Sequence, residues 1–245
     1  MRFEVLGPIA VELDDGQQAR VSRGRVQSFL ALLLVHRGDT IHLDRVVDEL
    51  WGEPGPRNAK NAVHVLASRL RSAGLSDAVV FEGGGYALRA PGATLDADLF
   101  EAGLRRGRAE LASGQAAQAA VTLATALALW RGPALLDVCD TRFAQPEIAR
   151  LEDLRLTCVG ERIEADIACG REAEVTGELE SLVHKHPFRE RLRGQLMTAL
   201  YRTGRQAEAL AAYREARGAL VEGLGIEPSP WLRELERAIL RHALV

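Results

Sequence analysis

The chain opens with apolar and polar residues in alternation, Phe3, Val5, Ile9, Val11 and Leu13 all at odd positions, with turn signals at Gly7-Pro8 and Asp14-Asp15-Gly16. A period of two predicts two or three short antiparallel strands ending near Val21. From Arg25 to Val35 the pattern becomes that of an apolar helix, stopped by Arg37-Gly38-Asp39. Leu43 to Trp51 is amphipathic at helical spacing and is closed by Gly52 and a Pro54-Gly55-Pro56 turn; a third helix is predicted from about Arg57 to Ala73, ending at Gly74. Val79-Val80-Phe81 and Tyr86-Ala87-Leu88 flank Gly83-Gly84-Gly85, and glycines there permit the positive φ of a tight hairpin turn. Strands, three helices and a terminal hairpin within residues 1–90 predict an α+β winged helix-turn-helix domain.

After the short linker Ala90-Pro91-Gly92-Ala93, residues 97–245 carry only helical patterning and are rich in Ala, Leu, Glu and Arg. Gly170-Arg171-Glu172-Ala173-Glu174 and Gly204-Arg205-Gln206-Ala207-Glu208 are 34 residues apart, the tetratricopeptide period, and a weaker copy begins at Gly114, 56 residues before Gly170. Ala209 and Tyr213 supply small and aromatic positions, and Pro187 falls where such a repeat closes. This predicts stacked helical hairpins with a concave face for partners; the plainer alternative is an irregular bundle with fortuitous glycine spacing. The expected fold class is mainly α: a winged-helix domain over 1–90, then an all-α tetratricopeptide-like domain over 97–245.

Composition narrows the function. Hydrophobic residues at 47% and charged residues at 27% are those of a folded globular chain. The longest apolar run, Phe29 to Val35, is far short of the roughly 20 residues a membrane helix needs, and Glu4 with Gly7-Pro8 interrupts any secretory signal, so a cytoplasmic, nucleoid-associated protein without membrane attachment is expected. Cys139, Cys158 and Cys169 have neither disulfide-framework nor zinc spacing and are expected to be buried apolar side chains. The net charge is −3, and residues 1–90 hold 11 basic and 11 acidic side chains, yet no acid occurs from Pro54 through Ser76, where Arg57, Lys60, Arg69 and Arg71 fall. Lys60 and Lys185 are the only lysines and neither lies in a phosphate loop, which removes the main support for an ATPase.

Placed at about 100° per residue, the third helix has two faces. Ala59, Val63, Leu66 and Leu70 form its core side. Arg57, Asn61, His64, Val65, Ser68 and Ser72 fall opposite, with Lys60 and Arg71 along one edge and Arg69 along the other. Such a face suits a DNA major groove: Asn61 can pair with adenine, His64 and Ser68 with base edges, and Val65 with a thymine methyl. Arg57, Lys60, Arg69 and Arg71, with Arg89 beside the hairpin, suit phosphates. A solvated face on an ordinary amphipathic helix is the alternative, and the missing acids and the glycine hairpin weigh against it.

Several segments together resemble the SARP family of actinomycete antibiotic regulatory proteins, which join an OmpR-type winged helix to a bacterial transcriptional activator domain (BTAD). They are Phe3-Glu4-Val5-Leu6-Gly7-Pro8, the Leu30–Val35 helix, Leu50-Trp51-Gly52, Ser68-Arg69-Leu70-Arg71, Gly84-Gly85-Tyr86-Ala87-Leu88, Leu95 through Phe100, His186 through Leu192, Leu196 through Arg205, and Leu224-Gly225-Ile226-Glu227-Pro228. The resemblance covers essentially the whole chain. It implies a transcription activator that binds direct repeats of double-stranded DNA upstream of biosynthetic genes, self-associates there and recruits RNA polymerase holoenzyme. The Leu43–Trp51 helix and the loop to Arg57 are its candidates for touching polymerase. Two positions depart from the family: Leu66, where a polar residue is commoner, and Phe81-Glu82, an acid at the wing that would repel phosphate unless Arg89 compensates. With the chain ending at Val245, regulation by bound nucleotide or phosphothreonine is not expected.

Other chemistry finds little support. His184-Lys185-His186 lacks a third ligand at recognisable spacing, so no metal or other cofactor is expected. Asp137, Asp140 and Glu147 around Cys139 have no nearby histidine and are expected in a loop packed against the helical repeats rather than in a catalytic site, and no enzyme activity is expected. Two rival functions remain: a protein–protein adaptor built on the repeats, and a DNA-binding repressor whose helical domain dimerises.

Overall fold

The computed structural model describes residues 1–52, 55 and 57–243. Pro54 and Pro56 of the expected turn lie outside the described residues. Two compact units are present, Met1–Leu104 with Thr125–Leu156, and Arg105–Ala124 with Thr157–Val245. The divisions fall inside helices and not at the 90–93 linker.

In the first unit, β1 (Arg2–Glu4) pairs antiparallel with β2 (Ala10–Glu12), placing Phe3 opposite Val11. The expected third strand near Val21 is reduced to an isolated bridge between Glu12 and Gln18. The other edge of β1 is taken by β6 (Thr94–Leu95), parallel and from beyond the linker. A two-residue strand carries no periodicity, so only the pairing reveals it. α1 (Arg25–Val35) is a nearly all-apolar helix whose Phe29 and Leu30 through Leu33 are fully buried; an apolar surface on all sides suits a helix at the centre of a core. β3 (Ile41–His42) leads into α2 (Leu43–Trp51), then α3 (Ala59–Leu70). A widened turn at Arg71–Leu75 ends it, Gly74 adopting φ +104. The hairpin of β4 (Val79–Glu82) and β5 (Gly85–Leu88) completes a second sheet of order β3-β5-β4.

The segment after β1 is tied to distant chain. The first residue of α4 (Asp96–Ala112) is fully buried and accepts from the backbone N–H groups of Val5 at 2.8 Å and Leu6 at 3.1 Å. Leu6 C=O accepts from Arg131 N–H at 2.7 Å, Val5 C=O from Leu135 N–H at 2.8 Å, and Ile9 N–H donates to Asp137 at 2.7 Å. Asp137 therefore caps the N-terminal strand segment, whose backbone donors need partners once the edge is buried, while the loop that carries it also meets the following helix, Glu152 accepting from Ala134 N–H at 3.0 Å. Glu147, near the start of α6 (Gln145–Ala168), likewise pairs with Arg37 at 3.1 Å, while Arg37 also meets Asp98 and Glu101. Cys139 is exposed rather than buried; Cys158 is buried, and burial pushes its thiol up to about 12.

The second unit follows a different logic. α4 turns into α5 (Ala116–Leu127), α6 into α7 (Glu172–Lys185), and α8 (Glu190–Arg202) into α9 (Gln206–Leu224), before α10 (Pro230–Leu240) closes the chain. Gly114, Gly170 and Gly204 stand at these three turns with φ of +77, +78 and +80. Each is followed by an N–H that reaches back five residues: Gln115 to Glu110, Arg171 to Asp166, Arg205 to Leu200. That is one helix stop used three times, satisfying the last carbonyls while glycine avoids the left-handed penalty. Gly107 under Leu123 and Gly194 under the Trp231 indole leave no room for a Cβ.

Candidate nucleic-acid interface

α3 buries Val63, Leu66, Ala67 and Leu70, and exposes Asn61, His64, Val65, Ser68 and Arg69. Leu66 is 5% exposed, so an apolar residue is what the inward side requires there. Val65 is 44% exposed, large for a β-branched apolar side chain. Asn61, Ser68 and Arg69 are thus open on α3; Arg57, expected on the same helix, is exposed but precedes its first turn, and among the described residues no acid pairs with Arg57 or Arg69.

The other predicted cations are engaged. Lys60 Nζ lies 2.8 Å from Asp44 near the start of α2, both side chains well exposed, a contact worth little in water and readily exchanged for a phosphate. Arg71 is half-buried and turns away from the open face: its Nε donates to the Val79 carbonyl at 3.0 Å and its guanidinium stands 5.8 Å from the Tyr86 ring centre. Arg89 donates to Glu82 at 2.5 and 3.1 Å, and Thr40 donates to the same carboxylate at 2.9 Å. These partners hold the Glu82 carboxyl below its ordinary range. The wing acid is therefore charged and neutralised by Arg89, which removes much of the repulsion that Glu82 alone would exert on a phosphate.

The hairpin turn is built from Gly83 and Gly84 at φ +56 and +76 between the paired Glu82 and Gly85, a two-residue connection that demands left-handed conformations at both positions. Gly85 itself packs against the Ile41 backbone too closely for any side chain. This geometry places Phe81, 50% exposed, beside α3. His64, Phe81 and Tyr86 form a cluster of edge-to-face rings with centres 5.1–5.8 Å apart, and Phe29 backs Tyr86 from the core at 5.6 Å. His64 Nδ1 and the Tyr86 hydroxyl oxygen are 2.7 Å apart. Burial pushes the Tyr86 hydroxyl up, partly offset by the Arg71 charge, so it keeps its proton. Of the predicted base-reading residues, His64 is tied to the hairpin. Sequence reasoning missed that tie and the part played by Phe81 and Tyr86, because a contact across 22 residues between a helix and a strand leaves no local pattern.

The helical region carries the decisive likeness. The model of the bacterial transcriptional activator domain matches residues 95–240. The chain belongs to the bacterial transcriptional activator domain family. Members similar to it along its length include the regulatory protein AfsR of Streptomyces griseus, 40% identical over 98% of this chain and 24% of its own, and the regulatory protein DnrI of Streptomyces peucetius, 34% identical over 98% of this chain and 92% of its own. Among solved structures, Mycobacterium tuberculosis EmbR in complex with a low affinity phosphopeptide superposes with a TM-score of 0.92 at 36% identity, covering 100% of this chain and 66% of that one. The BTAD chain thus spans about a quarter of AfsR and nearly all of DnrI. These relatives place it in the SARP family of regulatory proteins. Among the described residues of this BTAD protein, no helix is long and apolar enough to cross a membrane, and no group of three His, Cys, Asp or Glu side chains is placed to hold a metal ion.

Proposed function

We propose that this protein is a sequence-specific DNA-binding activator of biosynthetic genes of secondary metabolism. Residues 1–90 act as an OmpR-type winged helix and residues 97–245 as a tetratricopeptide-like BTAD. α3 enters the major groove, Asn61, His64, Val65 and Ser68 meet base edges, and Arg57, Lys60 and Arg69 meet phosphates. Arg71 and Arg89 act indirectly, Arg71 by bracing the hairpin and Arg89 by neutralising Glu82. Two copies sit on a direct repeat, and α2 with the loop after it meets RNA polymerase holoenzyme.

The observation that carries this reading is the exposed α3 face, which combines Asn61, Val65, Ser68 and Arg69, has Arg57 exposed just before it and carries no acid of its own; among the described residues no acid pairs with Arg57 or Arg69. The test is capture of genomic fragments by the purified protein at near-physiological salt, with sequencing and titration of the best fragment. Paired direct repeats and a steep salt dependence are expected; enrichment no better than scrambled DNA would overturn the reading in favour of an adaptor. On the captured operator, Arg69→Ala should weaken specific and scrambled DNA alike and flatten the salt slope by about one unit. Asn61→Ala should chiefly relax sequence choice, by about 1–3 kcal/mol. An unchanged slope in the first variant would remove Arg69 from the phosphate contacts.

A further inference from the structure

We propose that Tyr86 fixes His64 as an Nε2–H donor, so that α3 accepts at one base position an edge carrying an acceptor and rejects the amino group of cytosine. The base-selecting half rests on the DNA-reading function above; the fixing of the imidazole does not.

A neutral imidazole carries its proton on one of two nitrogens, and the hydrogen bond made by the other decides which. His64 Nδ1 faces the Tyr86 hydroxyl at 2.7 Å, and one proton is shared by that contact. Either Tyr86 donates it, leaving Nδ1 bare and Nε2 protonated, or Nδ1 donates it to the tyrosine oxygen. Arg71 decides between them. Its guanidinium, anchored on the Val79 carbonyl, stands over the Tyr86 ring and acts on the hydroxyl with its positive charge. A cation turns the hydroxyl dipole so that the oxygen lone pairs face it and the proton points away. Guanidinium is also a donor with no acceptor, so it has no use for the tyrosine proton. The proton is left for His64 Nδ1.

Packing holds the ring in place. His64 lies edge-to-face against Phe81 at 5.5 Å and Tyr86 at 5.8 Å, and Phe81 in turn packs on Tyr86 at 5.1 Å. Yet His64 is exposed overall, on the same face as Asn61 and Ser68. With Nδ1 consumed, Nε2–H is the polar group this ring has to offer. In the major groove a single donor is accepted by guanine O6 or N7, adenine N7 or thymine O4, and meets a second donor at cytosine N4. The buried tyrosine and the half-buried arginine thereby write a chemical preference onto a histidine that stays exposed on the open face. Tyr86 and Arg71 are positioning residues for His64 in this scheme.

The first test needs no DNA. Long-range proton–nitrogen correlation spectra of the labelled full chain, recorded at a pH where imidazoles are neutral and assigned by the signal missing from His64→Gln, should show His64 protonated at Nε2. Protonation at Nδ1 would overturn the proposal. Tyr86→Phe keeps the ring contacts and removes only the hydroxyl; its His64 should become a mixture of tautomers, and an unchanged pattern would also overturn it. Selection from a randomised operator library should then show discrimination at one base position reduced about fivefold in Tyr86→Phe, with Asn61-dependent positions retained. Unaltered discrimination there, despite an altered tautomer, would overturn the base-selecting role. A wild-type protein that selects no sequence at all would overturn the DNA-reading function and that role together, while the spectra still judge the imidazole.

Discussion

The two compact units are held together in different ways. In Met1–Leu104 with Thr125–Leu156, partners lie far apart in sequence: Val5 and Leu6 bond to Asp96, Leu6 to Arg131, Ile9 to Asp137, and Arg37 to Asp98, Glu101 and Glu147. In Arg105–Ala124 with Thr157–Val245, the recurring device is a helix stop closed within five residues at Gly114, Gly170 and Gly204. The first unit ties its N-terminal segment to backbone and acids from 90 or more residues away, whereas the second repeats a locally closed helix stop between helices that are also bridged at Gln195–Gly160 and Arg108–Glu161. The lesson is that ties from the N-terminal segment run past a linker recognised by its composition, to Asp96, Arg131 and Asp137.

The contrast can be broken most severely by cutting at the linker. A fragment of residues 1–90 lacks β6, Asp96 and the partners at 131–137, and is expected to show no cooperative melting transition in circular dichroism; a sharp transition would show that those ties are dispensable. Next comes Asp96→Ala, which orphans two buried N–H groups and should cost about 3 kcal/mol in denaturant unfolding. Asp96→Asn, keeping one acceptor, should cost less. Its pH dependence sharpens the point. Burial raises the Asp96 carboxyl above its ordinary 3.8, with the Val5 and Leu6 N–H groups and Arg131 pulling back. The protonated form is thus favoured on folding, and that contribution is complete below 3.8 and lost as pH rises through the raised value. Asp96→Asn should lack that loss, so its deficit relative to wild type should narrow over the same interval.

Gly204→Ala tests the other unit. A side chain at φ +80 carries the left-handed penalty, about 1 kcal/mol, and the loss should appear in hydrogen exchange of α8 and α9 without reaching β1. A comparable loss of β1 protection would contradict the local character of this unit. The smallest effect belongs to Arg37. It sits at φ +47, so Arg37→Gly relieves backbone strain while Arg37→Ala does not; the alanine variant should lose about 0.5 kcal/mol and the glycine variant less. Burial alone would raise Glu101 and Glu147, but Arg150 and Arg37 more than offset it and hold both carboxyls below 4.5. The stability from these pairs is present above 4.5 and lost as pH falls through the lowered values, so the Arg37 variants should converge on wild type in acid. Equal losses for alanine and glycine would leave strain at Arg37 without consequence.

Much of this was legible in advance. The helices Arg25–Val35 and Leu43–Trp51 follow from apolar spacing with clear stops, the hairpin from its glycines, and the inward face of α3 from a 100° step that turns Val63, Leu66 and Leu70 to the core. The spacing of Gly170 and Gly204 marked the repeated helix stop, because a left-handed residue must be specified locally. β3 and β6 were not legible: two residues have no period, and each is a strand only because β5 or β1 lies beside it. The same holds for charge. Arg57, Lys60, Arg69, Arg71 and Arg89 look equivalent along the chain, yet Arg71 is turned to the Val79 carbonyl and Arg89 is engaged by Glu82.

What the sequence by itself determined is therefore whatever local physics fixes: which segments are helical, which side of each is apolar, where left-handed glycines stop a helix or turn a hairpin, and the order of segments that marks the family. The tertiary structure alone decided which polar groups remain available. Whether a cation is open or spent, which acid caps β1, and which nitrogen of His64 faces the tyrosine all depend on partners brought close from tens of residues away, and the energy of a buried polar group is set by that partner and not by its neighbours in the chain.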